Sequence, residues 1–178
     1  LKIAPVYYVP GNHEARLNRY DTLKKQLMDS GVHVLENQRE WIVKKEAKIN
    51  LVGIEDPDFF ERSSFDDMQE SVSTTLQSLL DTNSYNIVLC HRPELFTEYV
   101  NAQANLVLTG HAHGGQIRIP FIGGLIAPDQ GFFPKFTEGI HSQGATNMII
   151  SRGLGNSILP IRINNTPELV VVSLQSYT

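Results

Sequence analysis

The sequence predicts an α/β (α+β) fold, a layered sandwich of sheet and helices. Three observations carry that reading. Strand-length apolar runs alternate with amphipathic helical stretches from Val6 to Thr109. Tyr85–Cys90 is almost continuously apolar, as in a strand covered on both faces. Beyond Gly110 the helical period disappears, and glycines punctuate a strand-rich stretch. No repeat, low-complexity tract or linker divides the chain, so residues 1–178 read as a single domain.

The elements follow in order. Val6-Tyr7-Tyr8-Val9 is a β-branched and aromatic run closed by Pro10-Gly11, a buried strand ending in a turn. Leu23, Leu27 and Met28 give Tyr20 to Ser30 a helical spacing, and Gly31 supplies the stop. Val32–Leu35 reads as a strand, and Trp41–Val43 and Ile49–Ile54 as two more that could pair. Glu55-Asp56-Pro57-Asp58 breaks the pattern as a loop, read as a solvated Asp-Pro turn, with lining of the site by the Asp56 region as the alternative. From Asp66 to Asp81, Met68, Val72, Leu76, Leu79 and Leu80 share one helical face. Pro93 opens a short helix running to Ala102, and Asn105–Thr109 is another buried strand. Asn147–Ser151 and Glu168–Leu174 are the late strands.

Composition narrows the function. Lys and Arg total 15 against 19 Asp and Glu, a net charge of −4, and no basic block stands out. No nucleic-acid partner is therefore expected. The single Cys, Cys90, forms no internal disulfide and reads as a small buried hydrophobe. Apolar runs such as Ile87–Cys90 and Leu169–Val172 fall far short of the ~20 residues of a membrane span. The chain starts at Leu1, without an initiator Met, and enters a strand almost at once, with no signal or transit peptide in view. It is expected to be part of a longer protein.

Three short segments carry the chemistry. Gly11-Asn12-His13-Glu14, His91 and Gly110-His111-Ala112-His113-Gly114-Gly115 each directly follow a predicted strand. Ligands of α/β sheets usually bind at the carboxyl ends of strands, so four His and one Asn are expected to meet there. Neutral imidazole is the commonest metal ligand. Flanking glycines leave room for ions or for an anionic substrate.

Taken together, these segments resemble the last three of the five motifs of the calcineurin-like metallophosphoesterases. His111-Ala112-His113-Gly114-Gly115-Gln116, Ile119-Pro120, Ser151-Arg152-Gly153-Leu154-Gly155 and Leu159-Pro160-Ile161-Arg162 resemble a bacterial subgroup that is often membrane-associated or exported. The likeness covers essentially the whole chain. It implies roughly the C-terminal two-thirds of an αββα metallophosphoesterase sandwich. The family's upstream motifs, Asp-x-His and Gly-Asp-x-x-Asp, have no counterpart in the ten residues before Gly11, so the domain reads as N-terminally truncated with its first strands missing.

The resemblance implies a hydrolase of phosphate monoesters or diesters, lipid-linked or nucleotide-type, built on two divalent ions such as Mn²⁺, Zn²⁺ or Fe²⁺. Asn12, His91 and His111 would ligate the second ion and His113 the first. His13 would be catalytic, protonating the leaving oxygen or clamping the phosphoryl group. Ions roughly 3.5–4 Å apart would activate a bridging hydroxide for in-line attack at phosphorus. Every ligand offered at these positions is neutral, whereas two dications ~3.5 Å apart repel by roughly 19 kcal/mol at an effective dielectric of about 20. This chain alone is therefore expected to hold at most one ion and to be inactive.

Other residues complete the reading. Glu14 would brace the His13 turn. Arg92 and Arg152 are candidates for binding substrate phosphate, with a surface ion pair and a structural role as the respective alternatives. His33 and His141 match no motif. Ile117 to Phe136 crowds Ile119, Phe121, Ile122, Leu125, Ile126, Phe132 and Phe133 into a Gly/Pro-rich stretch, most of it expected to fold back as core. Its alternative is an apolar lip suited to a lipid-linked substrate or to peripheral membrane contact. Two competing functions remain open: a non-catalytic binding or scaffold module on the same fold, and a mononuclear zinc protein using three His.

Overall fold

The structure, a computed structural model, describes residues 3–60, 64–155 and 161–175. Its longer strands are β1 (Val6–Tyr8), β2 (Val32–Val34), β3 (Gln38–Lys44), β4 (Ala47–Ile54), β5 (Tyr85–Cys90) and β6 (Leu106–Thr109). Four two-residue strands follow, β7 (Arg118–Ile119), β8 (Gly123–Gly124), β9 (Ile126–Ala127) and β10 (Gly131–Phe132), then β11 (Gly139–Gln143) and β12 (Thr146–Ile150). The α-helices are α1 (Asn12–Ala15), α2 (Tyr20–Asp29), α3 (Phe65–Leu79) and α4 (Phe96–Asn101). No described helix is long and apolar enough to cross a membrane.

Local chemistry sets the helix ends. The Ser64 hydroxyl accepts from Asp67 N at 3.2 Å, and Asp66 and Asp67 place negative charge in the first turn of α3. α2 stops where Gly31 turns left-handed at φ 84° and donates to Met28 O at 2.9 Å.

Among the described residues, six strands form one sheet in the order β11-β12-β6-β5-β4-β3. The central four are parallel, and β3 and β11 pair antiparallel at the edges. Strand alternation sorts the core into two layers. Val52, Ile54, Val88, Cys90, Val107, Met148 and Ile150 pack with Val72 and Leu76 of α3 and Phe96 and Tyr99 of α4. Leu51, Ile87 and Leu106 point the other way, toward Leu35, Tyr7 and Val9 around the parallel pair β1–β2. This is the mixed α/β architecture the sequence predicts.

The parallel centre positions the site. The carboxyl ends of β4, β5, β6 and β12 all reach one edge, which puts the loops after Ile54, Cys90, Thr109 and Ile150 side by side. Asp56 N donates to Pro10 O at 3.2 Å and ties the turn after β1 to the same edge.

Three expectations are corrected. Glu168–Leu174 forms no strand: Leu169 and Val171 are exposed, and the bond from Glu168 N to Gly153 O at 3.1 Å does not grow into a ladder. Alternating apolar residues make a strand only where a neighbour accepts their backbone. The Ile117–Phe136 stretch is not mostly core. It folds as a meander in which β7 pairs β8 and β9 pairs β10, leaving Phe121, Ile122, Phe132 and Phe133 exposed. The tight turns around Phe121, at φ 68°, and Asp129, at φ 56°, give it too little surface to bury both faces. Asp56 is not solvated: it is fully buried and paired with the equally buried Arg92. Leu159 and Pro160, which contribute to the family likeness, lie outside the described residues.

Candidate metal centre

Gly11-Asn12-His13-Glu14 leaves β1 and turns at once into α1. Glu14 reaches back to accept the Gly11 N–H at 2.8 Å, which closes the turn as a carboxylate brace. Gly11 is required sterically. A Cβ there would sit 2.9–3.0 Å from the ring of His91. Asn12 is buried, and its Oδ1 lies 3.2 Å from His91 Nε2.

His91 follows β5, and its ring stands edge-to-face with His111 at a centroid distance of 4.9 Å. The His111 loop is strained: His111 and His113 take φ of 62° and 48°. Such angles cost on the order of 1–3 kcal/mol each and persist only where surroundings impose them. Here Ala112 N donates to Gly110 O, Gly115 N donates to Ala112 O, both at 2.7 Å, and Asn165 Nδ2 donates to His113 O at 2.6 Å. A Cβ on Gly114, at φ 68°, would meet Asn165 Oδ1 at 2.3 Å.

Two of the imidazoles, His91 and His113, are held neutral. Burial, then His111, then the Arg92 charge push His91 down to about 3. Burial lowers His113 too, helped by Arg162, His111 and His13 within electrostatic reach. Neutral rings offer lone pairs. With Asn12 Oδ1 they form a nitrogen-and-oxygen donor set that fits borderline divalent ions such as Mn²⁺, Fe²⁺ or Zn²⁺. The structure therefore brings Asn12, His91, His111 and His113 together at one edge, with His13 exposed beside His113.

Arg92 does something other than the sequence suggests. Its side chain is 1% exposed and that of Asp56 0%. Nε and Nη2 grip Asp56 at 2.7 and 2.8 Å, and Nη2 also reaches Asp58 at 2.8 Å. Nη1 donates to Glu94 at 3.3 Å and to Asp129. Burial opposes its charge, but the carboxylates outweigh that cost and hold the guanidinium protonated. Tyr99 donates to the Arg92 carbonyl at 2.7 Å and locks its backbone. Arg92 is thus neither a surface ion pair nor a residue with a donor to spare for phosphate. Arg152 also has its own acids, Glu138 at 3.4 Å and Glu168 at 3.5 Å, and its stem lies against Gly114.

Asp129 and Glu94 are the site acids that sequence reasoning missed. Asp129 accepts from His111 Nε2 at 2.9 Å, and that bond followed by Arg92 lowers its carboxyl to about 2. Burial raises Glu94. One ligand atom each from Glu94, His111 and Asp129 lies within 4.8 Å of the others, close enough to share a cation. Pro128-Asp129-Gln130-Gly131 carries only a turn signal in sequence. Asp56 had a usable one, since it too follows a strand on the edge where the histidines gather.

The calcineurin-like phosphoesterase family matches residues 1–115. The chain belongs to that family. Its relatives agree. Metallophosphoesterase YkuE of Bacillus subtilis strain 168, whose function is uncharacterized, is 38% identical over 119 residues, 65% of this chain and 41% of the relative. Metallophosphoesterase YkoQ of the same organism, likewise uncharacterized, is 29% identical over 166 residues, 92% of this chain and 58% of the relative. Phosphodiesterase YaeI of Escherichia coli strain K12 is 26% identical over 173 residues, 96% of this chain and 58% of the relative. The chain thus spans about half the length of the curated relatives it matches. No solved structure matches it.

Proposed function

We propose that this chain carries one side of the active site of a metal-dependent phosphoesterase that hydrolyses phosphate monoesters or diesters. The observation that supports this reading is the meeting of Asn12, His91, His111 and His113 on one sheet edge. Asn12, His91 and His111 would hold one divalent ion, and His113 would contribute to a second. Bound ions would supply Lewis-acid neutralisation of the phosphoryl oxygens and the attacking water. His13, exposed beside His113, would place a proton at the leaving oxygen. Because the four ligands are all neutral, residues 1–178 alone would hold at most one ion. Manganese, zinc or iron each suit the donor set.

The meander supports a reading of the substrate class. Its 128–130 turn enters the site through Asp129, while Phe121, Ile122, Phe132 and Phe133 stand exposed along the same strip. An apolar lip of this kind fits a lipid-linked phosphate ester or peripheral membrane contact, and no feature of the charge pattern calls for nucleic acid. Sedimentation with phospholipid vesicles is expected to fall several-fold in the Phe121→Ser/Phe132→Ser double variant, and equal sedimentation would remove the lip.

Turnover of a chromogenic phosphodiester by the intact protein, with the family's upstream motifs in place, tests the chemistry. His13→Ala is expected to lower it by roughly 10²–10⁴ with metal content unchanged, since a positioned acid contributes about that much. His91→Ala should lose metal and turnover together. Metal lost from His13→Ala would make His13 a ligand or a prop. Turnover indifferent to chelators would overturn the proposal.

A further inference from the structure

Asp129 and Arg92 together fix the tautomer of His111. A guanidinium has five N–H groups. Those of Arg92 go to Asp56 twice, Asp58 once, Glu94 once and Asp129 once. The Asp129 carboxylate can only accept, so the proton on this edge of the ring belongs to His111 Nε2, and the 3.4 Å approach of Nη1 to that atom is a contact without a hydrogen bond. His111 Nε2 must then donate to Asp129 Oδ2 at 2.9 Å, leaving Nδ1 as the lone-pair atom of the ring.

The loop that delivers Asp129 is anchored on both sides. Ala127 is buried in the core, and the Gln130 side chain clamps the Phe136 backbone, donating to its carbonyl at 2.7 Å and accepting from its N–H at 2.9 Å. Between these anchors Asp129 turns left-handed and reaches the histidine.

We propose that Asp129 is a positioning residue that fixes the ring orientation and tautomer of His111, so that Nδ1 faces the cation, and that Arg92 occupies the Glu94–His111–Asp129 triangle in place of an ion. This rests on the reading of His111 as a metal ligand. Carboxylates that accept the second N–H of a ligating histidine raise its basicity, and losing one typically costs 10–100-fold in metal affinity. The guanidinium donates to both carboxylates of the triangle and stands 3.4 Å from His111 Nε2, so the negative charge of the two acids is already offset. Glu94 shares the guanidinium but, among the described residues, makes no hydrogen bond to His111, which makes Glu94 the control.

The experiment pairs two readouts on the purified protein. Long-range ¹H–¹⁵N correlation of the imidazoles, without metal, should show His111 protonated at Nε2 in the wild type. Asp129→Ala should lose that preference, and Asp129→Asn, whose amide oxygen can still accept, should keep it. Calorimetric titration with Mn²⁺ should show affinity 10–100-fold lower in Asp129→Ala, within about fivefold of wild type in Asp129→Asn, and unchanged in Glu94→Gln. A His111 protonated at Nδ1, or an Asp129→Ala variant with wild-type tautomer and affinity, would overturn the positioning role. A tenfold loss in Glu94→Gln would make the triangle itself the ion site. If the tautomer result holds while the wild type and His111→Ala bind Mn²⁺ equally, the ligand reading of His111 fails and the Asp129–His111 pairing stands by itself.

Discussion

His91 and Arg92 are consecutive, and both follow β5, yet they enter opposite environments. Arg92 sinks into four carboxylates that use every N–H it has. His91 faces an amide oxygen and a second imidazole, with its ring held neutral by burial. One region is a saturated charge network with nothing left to offer a ligand. The other is a set of lone pairs facing one another, an arrangement that a cation would satisfy. The difference teaches that perturbed groups on one sheet edge need not share one task. The saturated region holds the backbone, and the unsaturated one is available for chemistry.

Removing the guanidinium should produce the largest effect. Arg92→Met strands Asp56 as a buried charge without its partner, and breaking such a pair typically costs about 3–5 kcal/mol. Urea denaturation should report a loss in that range, and an unshifted midpoint would mean the hub contributes no stability. Crowding the other region should do less. Gly11→Ala pushes a methyl into the His91 ring, and overpacking of this kind costs about 1–3 kcal/mol. The same variant should weaken Mn²⁺ binding, whereas full affinity would show that the His91 ring can shift without consequence.

The pH dependence separates the two regions. In the folded state His91 titrates near 3 against an ordinary value of 6.5. Between those values the unfolded chain binds a proton that the folded chain refuses, so stability should fall as pH drops through that window. Asp129, lowered from 3.8 to about 2, adds a second loss over that lower range, where protonation removes its bonds to His111 and Arg92. Thermal melts with chelator from pH 7 to pH 4 should show the first loss, and His91→Asn should flatten it. A wild-type melting temperature constant over that range would contradict a neutral, buried His91. The smallest effect is expected farthest from both regions. Phe121 is fully exposed at a turn tip, so Phe121→Ser should change stability by less than about 0.5 kcal/mol by urea titration.

Much of this was legible in the sequence. The apolar runs that became β4, β5, β6 and β12 are nearly continuous, as in strands covered on both faces, and parallel strands of that kind share a carboxyl edge. Asn12, His91, His111 and His113 were therefore readable as neighbours before any coordinate. The partners of Arg92 were not. Asp56 and Asp58 sit in an Asp-Pro turn whose local chemistry equally suits solvent, and Asp129 lies 37 residues away from Arg92 in a loop with no periodicity. Only the tertiary placement of the meander brings that carboxylate to His111. The meander also misled, because seven large apolar residues in a short stretch resemble core until the turns at Phe121 and Asp129 leave them no second layer to face.

The central claim is that the imidazoles and Asn12 of this edge hold a divalent ion. Pulsed electron paramagnetic resonance of Mn²⁺ added to the protein reads the ligating nitrogens directly. The account predicts imidazole ¹⁴N couplings in the wild type that weaken in His91→Ala and again in the His91→Ala/His111→Ala double variant, while Glu94→Gln leaves them intact. A bound Mn²⁺ without nitrogen coupling, or couplings unmoved by loss of both histidines, would contradict it.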